Sequence, residues 1–357
     1  MDSAACVSPA RSPHERPLFG SSRHSRHDGT ELIPSDPQTG EITLMSTNRP
    51  HFPLTPSPFL SLLGNGFVAD TLARLCAVLV ARMRVTPLFP EIPGRVGEIT
   101  LPTRHGDMRA LHHRPADDAG TGVYIDIHGG GYATGTPEMD DALCRFLAHE
   151  AGVHVVSIDY RRAPHARFPV AAHQAYDALV WASSPERPWS GGAVCVGGQS
   201  AGGGLAAAAC RRALDAGGPA VALQVLQYPP LDLVTPGYRK EAPTGRTPML
   251  RPWMSAVFDK AYVPDPAQRG NPLVSPAWGT NGDGLTGIAP ALVITAEYDR
   301  LRAEGVAYAD RLAEAGALAG HLDLRGADHG YDLHGKDPDL TRRVYGSIAA
   351  HVRRATA

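Results

Sequence analysis

Cysteine is scarce and unpatterned. The five residues, Cys6, Cys76, Cys144, Cys195 and Cys210, are odd in number, form no CxxC pair and have no histidine at ligand spacing. That speaks against a disulfide framework and a zinc site, and makes reduced, buried thiols in a cytoplasmic protein the expectation. Long apolar runs are also missing: nothing approaches the ~18 consecutive apolar residues that suggest a membrane span. The residues after Met1 include Ser, Pro, Arg and His with no apolar run, so no secretory signal is expected. Neither sign of charge dominates. With 34 Lys and Arg against 36 Asp and Glu, the formal net charge is -2, which implies no polyanion-binding surface and no nucleic-acid partner. There is no internal repeat.

What is present is an ordinary globular balance, 43% hydrophobic and 20% charged over 357 residues, ample for one large α/β domain. Residues 1–50 are rich in Ser, Arg, His, Pro and Asp and show no periodicity, so a disordered leader is expected there. Met45, followed by Ser-Thr-Asn, is an alternative to Met1 as the true start. From Pro58 the pattern turns helical: Leu60, Leu63, Phe67, Leu72, Leu75, Leu79 and Val80 recur at spacings near three and four. Pro87 and Pro90 end this region. Strand-like runs follow at 97–101, 108–112, 123–128, 153–159, 193–198, 222–228, 291–296 and 321–324. Helix-like runs lie at 140–150, 169–182, 201–216, 304–315 and 339–354. Val, Ile and Ala runs alternating with helices predict a mostly parallel sheet covered on both faces. The first two strands have no helix between them and predict an antiparallel hairpin at one edge. Residues 231–287 break this rhythm with a long Pro-rich segment carrying Trp253, Phe258, Tyr262 and Trp278. A segment of that length is usually functional or an insertion. Together with the helical region over 51–92, it is the candidate for a cap on a domain spanning 93–357.

Five short stretches carry the chemistry. Gly198-Gln199-Ser200-Ala201-Gly202 fits G-x-S-x-G between a strand-like and a helix-like run. That is the context in which a sharp elbow exposes a nucleophilic Ser Oγ, above a helix N-terminus that favours negative charge. His128-Gly129-Gly130-Gly131-Tyr132 follows another strand, and its consecutive glycines allow backbone N–H groups to approach an oxyanion. The N–H after the nucleophile, that of Ala201, completes such an oxyanion hole. A nucleophilic Ser needs a base, and the base an orienting carboxylate, in the chain order Ser, acid, His. His329, in a loop after the last strand, is the candidate base; His334 is a rival, and His321 and His351 sit in regular elements. Asp299 lies past the end of another strand, where such groups collect, with Glu297 as the alternative. Asp328 reads as a structural or solvated charge.

The chain resembles the hormone-sensitive-lipase-like, bacterial family IV carboxylesterases from about residue 60 to the C-terminus. The resemblance rests on the His128-Gly-Gly-Gly-Tyr run, on Asp159-Tyr160-Arg161-Arg162-Ala163-Pro164 with Phe168-Pro169, on Gly198 to Gly203, on Ala296-Glu297-Tyr298-Asp299, and on Asp328-His329-Gly330. It implies an α/β-hydrolase fold with an eight-stranded sheet, a helical cap built partly from the N-terminus and no cofactor. It also implies hydrolysis of short- to medium-acyl esters by a triad of Ser200, Asp299 and His329. The oxyanion hole would be the amides of Gly130, Gly131 and Ala201, and His128 would order its loop. A homodimer is expected by family analogy alone. Three departures stand out: Gln199 where the family usually has Asp or Glu, Arg162 where it often has Leu, and Arg300-Leu301-Arg302-Ala303-Glu304 where Pro-Leu-Arg-Asp-Glu is common.

An ester is the expectation; an amide or N-acetyl group of a specialised metabolite, or a cyclisation, is the alternative with the same triad. A non-catalytic binding protein on the same scaffold is the reading from another class. Against it, such proteins usually lose a triad member, whereas this chain keeps candidates for all three.

Overall fold

The computed structural model describes residues 58–82, 87–116, 122–189, 192–241 and 246–357. The expected leader, Met45 and the start of the 51–92 region lie outside them. Two helices come first, α1 (Pro58–Leu62) and α2 (Gly66–Arg82). The periodicity suggested one continuous helix, but Gly64 and Gly66 flank Asn65, whose Oδ1 accepts from Phe67 N at 2.9 Å. An Asn side chain satisfying a free N–H is a helix start, so the chain restarts there. Nor is the expected apolar stripe fully used. Leu63 is buried, but Phe67 is 77% exposed and Leu75 and Leu79 are more than half exposed. The residues of α2 that are buried are the small Ala69 and Ala73. Asp70 anchors this helix to the body through Arg167, at 2.6 Å.

The hairpin β1 (Val96–Leu101) and β2 (Met108–His113) is followed by β3 (Gly122–Ile127), α3 (Asp141–Glu150), β4 (His154–Ile158) and α4 (Val170–Ala182). Next come β5 (Ala193–Gln199), α5 (Ala201–Ala216), β6 (Leu223–Gln227), α6 (Pro252–Tyr262), β7 (Ala291–Ala296), α7 (Arg302–Glu314), β8 (Leu318–Leu324) and α8 (Pro338–Thr356). The eight strands form one sheet in the order β1-β2-β4-β3-β5-β6-β7-β8. The β1–β2 and β2–β4 pairs are antiparallel and the other five parallel. The antiparallel edge expected from the sequence is therefore present. His128 falls just past β3 instead of inside it, and β8 begins three residues before His321.

Strand alternation divides the core. Ile125, Ile127, Val194, Val196 and Val293 pack with Leu205 of α5, Leu179 of α4 and Tyr308 of α7. Tyr124, Val155, Cys195, Val225 and Ile294 pack on the other face with Leu147 of α3 and Ile348 of α8. All six residues of β3 are buried, as are all of β4, β6 and β7, because both faces are covered. Edge strand β1 reads differently, with only Leu101 buried. Cys76, Cys144, Cys195 and Cys210 are free thiols. Among the described residues no helix is long and apolar enough to cross a membrane.

Candidate active site

The C-terminal ends of β3, β5, β6, β7 and β8 lie side by side, and the loops leaving them converge. Ser200 joins β5 to α5 with φ 50° and ψ -121°, a left-handed turn that costs a non-glycine residue roughly 1–3 kcal/mol and persists only where surrounding structure imposes it. Here the imposition is visible. Ser200 N donates to Gln227 O at 2.9 Å and Gly204 N donates to Ser200 O at 3.1 Å. A side chain at Gly202 would strike the Ile127 carbonyl, so only glycine lets α5 start this close to β3.

Ser200 Oγ lies 2.9 Å from His329 Nε2, and His329 Nδ1 lies 2.8 Å from Asp299 Oδ2. Asp299 is fixed in turn, its Oδ1 accepting from Leu301 N at 3.0 Å. Both His329 and Asp299 are buried. Burial opposes protonation of the imidazole, but the Asp299 carboxylate, aided by Asp328 and Asp332, outweighs it. The His329 pKa is accordingly raised. A serine hydroxyl bonded to an imidazole that is itself bonded to a carboxylate can transfer its proton as it attacks an electrophile.

The other sequence candidates sit elsewhere. Glu297 Oε2 accepts from Gly326 N at 2.7 Å and supports the turn before the histidine loop. Asp328 binds its neighbour His329 N and also Met249 N at 2.9 Å, tying that loop to the segment between β6 and β7. His321 pairs with Thr295 Oγ1 inside the sheet and His351 with Ser347 O in α8. The His334 side chain lies outside the described part of the chain. His128 stacks on Tyr160 at 4.4 Å, and burial pushes its pKa down to about 3, so it is neutral.

Gly130 (φ 114°) and Gly131 (φ 60°) adopt backbone that L side chains rarely adopt. The loop is pinned by Ala133 N and Thr134 N, both donating to Gly130 O. Gly129, Gly130 and Gly131 of this loop line the space above Ser200, and Ala201 is the first residue of α5. That space is a cavity of about 300 Å³. Its walls are apolar at Val80 of α2, Met254 and Phe258 of α6, Leu250 and Leu333, and polar at Asp140, Gln199, Tyr228, Asp332 and Tyr345. A larger recess of about 560 Å³, between Arg74 and Val78 of α2 and residues 161–166, does not include Ser200.

Sequence reasoning missed Asp332, Tyr228 and Asp140. The one available signal was Gln199, singled out as a departure without a partner to explain it.

The alpha/beta hydrolase fold family model matches residues 124–333. The chain is 35% identical to the carboxylic ester hydrolase LipN of Mycobacterium tuberculosis over 81% of this chain and 80% of that protein. It is 34% identical to an ethyl acetate hydrolase of Pseudomonas putida over 67% of this chain and 76% of that one. Among solved structures, a Pyrobaculum calidifontis esterase superposes with a TM-score of 0.68 at 32% identity, covering 85% of this chain and 100% of its own.

Proposed function

The chain belongs to the alpha/beta hydrolase fold family, on its hormone-sensitive-lipase-like branch, and from that premise we propose that it is a carboxylesterase whose nucleophile is Ser200. His329 takes the hydroxyl proton as Oγ attacks the ester carbonyl, then returns it to the leaving alcohol. Asp299 holds the tautomer that makes this possible and stabilises the imidazolium. The amides of Gly130, Gly131 and Ala201 receive the oxyanion. Water then attacks the acyl-enzyme by the same route, with His329 again as base. The observation that carries this reading is the unbroken Ser200–His329–Asp299 relay at 2.9 and 2.8 Å on a strained elbow.

The cavity of about 300 Å³ suits short to medium acyl chains. The described parts of 51–92 and 231–287 form the cap in this reading, supported by Val80, Met254 and Phe258, which wall the cavity from those two segments. The cytoplasm is the inferred location, supported by the buried free thiols Cys144, Cys195 and Cys210. A homodimer is the inferred assembly, which light scattering would test.

Labelling with a fluorophosphonate, followed by peptide mapping and a p-nitrophenyl ester and amide panel, tests the whole assignment. Labelling confined to Ser200 and ester turnover abolished in a folded Ser200→Ala variant are expected. Near-normal turnover by that variant overturns it.

A further inference from the structure

Gln199 precedes the nucleophile, and its side chain has a partner 133 positions away: Nε2 donates to Asp332 Oδ2 at 3.1 Å. Asp332 stands three residues past His329 and is 4% exposed. Its carboxylate takes two further hydrogen bonds, from Tyr228 OH to Oδ1 at 2.6 Å and from Tyr345 OH to Oδ2 at 3.1 Å. Four parts of the fold thus meet on one carboxylate: the end of β5, the turn after β6, the histidine loop and α8. Tyr228 closes the circuit. Its ring packs edge-on against the His329 imidazole at 4.8 Å, and its backbone is held at φ 35°, a strained value for a tyrosine, with N donating to Ile294 O at 2.7 Å. The two sides of the Ser200–His329 hydrogen bond are therefore joined a second time, through Gln199, Asp332 and Tyr228.

We propose that Asp332 is a positioning residue for the Ser200–His329 pair, carrying on the histidine loop the carboxylate that the elbow lacks at Gln199. The inference rests on the nucleophile and base assigned above. Among the described residues no cationic side chain hydrogen-bonds Asp332; Gln199, Tyr228 and Tyr345 are its side-chain donors there, and Asp140 lines the same cavity. Around His329 stand Ser200, Tyr228, Asp299, Asp328 and Asp332. Burial drives the Asp332 carboxyl above the usual range, against the pull of its hydrogen bonds. A retained charge there is thus costly to fold around. Its field also favours the protonated imidazole of His329.

The carboxylate and amide of this pair can be exchanged without changing shape, and that exchange is the test. Asp332→Asn should lower kcat on a p-nitrophenyl ester about tenfold, the size expected for one mispaired buried hydrogen bond, with KM little changed. It should also move the acid limb of kcat/KM to lower pH, because one of the anions favouring protonated His329 is gone. Gln199→Glu alone sets two carboxylates against each other and should also lose about tenfold. In the double variant the amide introduced at 332 has two N–H groups, one for the carboxylate introduced at 199 and one for the Tyr345 oxygen. That variant should recover to within about threefold of the native kcat, well short of the hundredfold loss that two independent tenfold effects would give. Native kcat and acid limb in Asp332→Asn, or a double variant as poor as the product of the singles, overturns the proposal. If Asp332→Asn fails to fold by circular dichroism, Tyr228→Phe decides. It removes one hydrogen bond to Asp332 but keeps the ring on His329, and unchanged kcat there overturns the proposal. Native protein inactive on every ester would instead refute the function on which this rests.

Discussion

Asp299→Asn removes one charge and almost no volume, and its effect follows from which oxygen does what. Oδ1 accepts from Leu301 N at 3.0 Å and Oδ2 accepts from His329 Nδ1 at 2.8 Å. An asparagine must place its oxygen at one of these and its NH₂ at the other. Facing the NH₂ to Leu301 would set donor against donor in a buried turn, so the oxygen stays with Leu301 and the NH₂ turns to the imidazole. His329 Nδ1 must then accept, which puts the ring proton on Nε2, pointing at Ser200 Oγ. The base is present, in place and in the wrong tautomer. A triad carboxylate exchanged in this way costs about 10⁴-fold, on the order of 5 kcal/mol in the transition state. Folding should change little, because the Leu301 bond survives. The assay is kcat/KM for a short-chain p-nitrophenyl ester from pH 6 to 9, beside thermal melts of both proteins. Activity within tenfold of native, with the melt unchanged, would show that Asp299 does not set the tautomer, and Glu297 would have to be reconsidered.

Other outcomes follow from the same geometry. The raised His329 pKa means that kcat/KM should fall through a midpoint above the ordinary ~6.5 as pH drops. The sign for stability is opposite: a group whose folded pKa is raised gives its full contribution below the unfolded value and loses it as pH rises through the folded one. Between those two values activity should therefore rise while this increment of stability falls, checked by pH-stat rates against urea midpoints. Lys240→Met should destabilise by about 3–5 kcal/mol, because it strands Glu304. That ion pair closes at 2.6 Å with both side chains under a tenth exposed, and Glu304 also holds Leu231 N. Urea unfolding checks it, and a loss below about 1 kcal/mol would contradict the burial argument. Gly131→Ala places a methyl group into the Phe258 ring at a φ of 60°. If the loop yields, kcat should fall about 10²- to 10³-fold through the displaced oxyanion donor. A second substitution, Phe258→Ala, should restore part of that in steady-state rates.

What could be read from the chain depended on how locally each feature is encoded. The elbow is compact in sequence: Gly198 and Gly202 both lie within two residues of Ser200, although it is the Ile127 carbonyl of β3 that demands them, so the motif is visible in a string of five letters. The parallel strands were visible because burial on both faces writes continuous Val, Ile and Ala runs, and the antiparallel edge because no helix could intervene between β1 and β2. The helical start was legible in kind but not in detail. Its periodicity hid the restart at Asn65, and it could not reveal that α2 buries small alanines while exposing Phe67, Leu75 and Leu79. An apolar spacing states which residues share a face, and the volume available opposite that face decides how much of it is covered. Asp332 shows the other limit. An aspartate three residues past a histidine, or a glutamine before a serine, is a generic polar residue until the sheet order β5-β6-β7-β8 brings the loops after β5, β6 and β8 together. Only then do Gln199, Tyr228 and Tyr345 find one carboxylate among apolar walls, where a buried charge must be fully hydrogen-bonded to be retained. The departures of this chain from its family are therefore best read in pairs. Gln199 taken alone looks like a lost carboxylate, and Gln199 with Asp332 still sets a carboxylate against the elbow, carried on the side of the base.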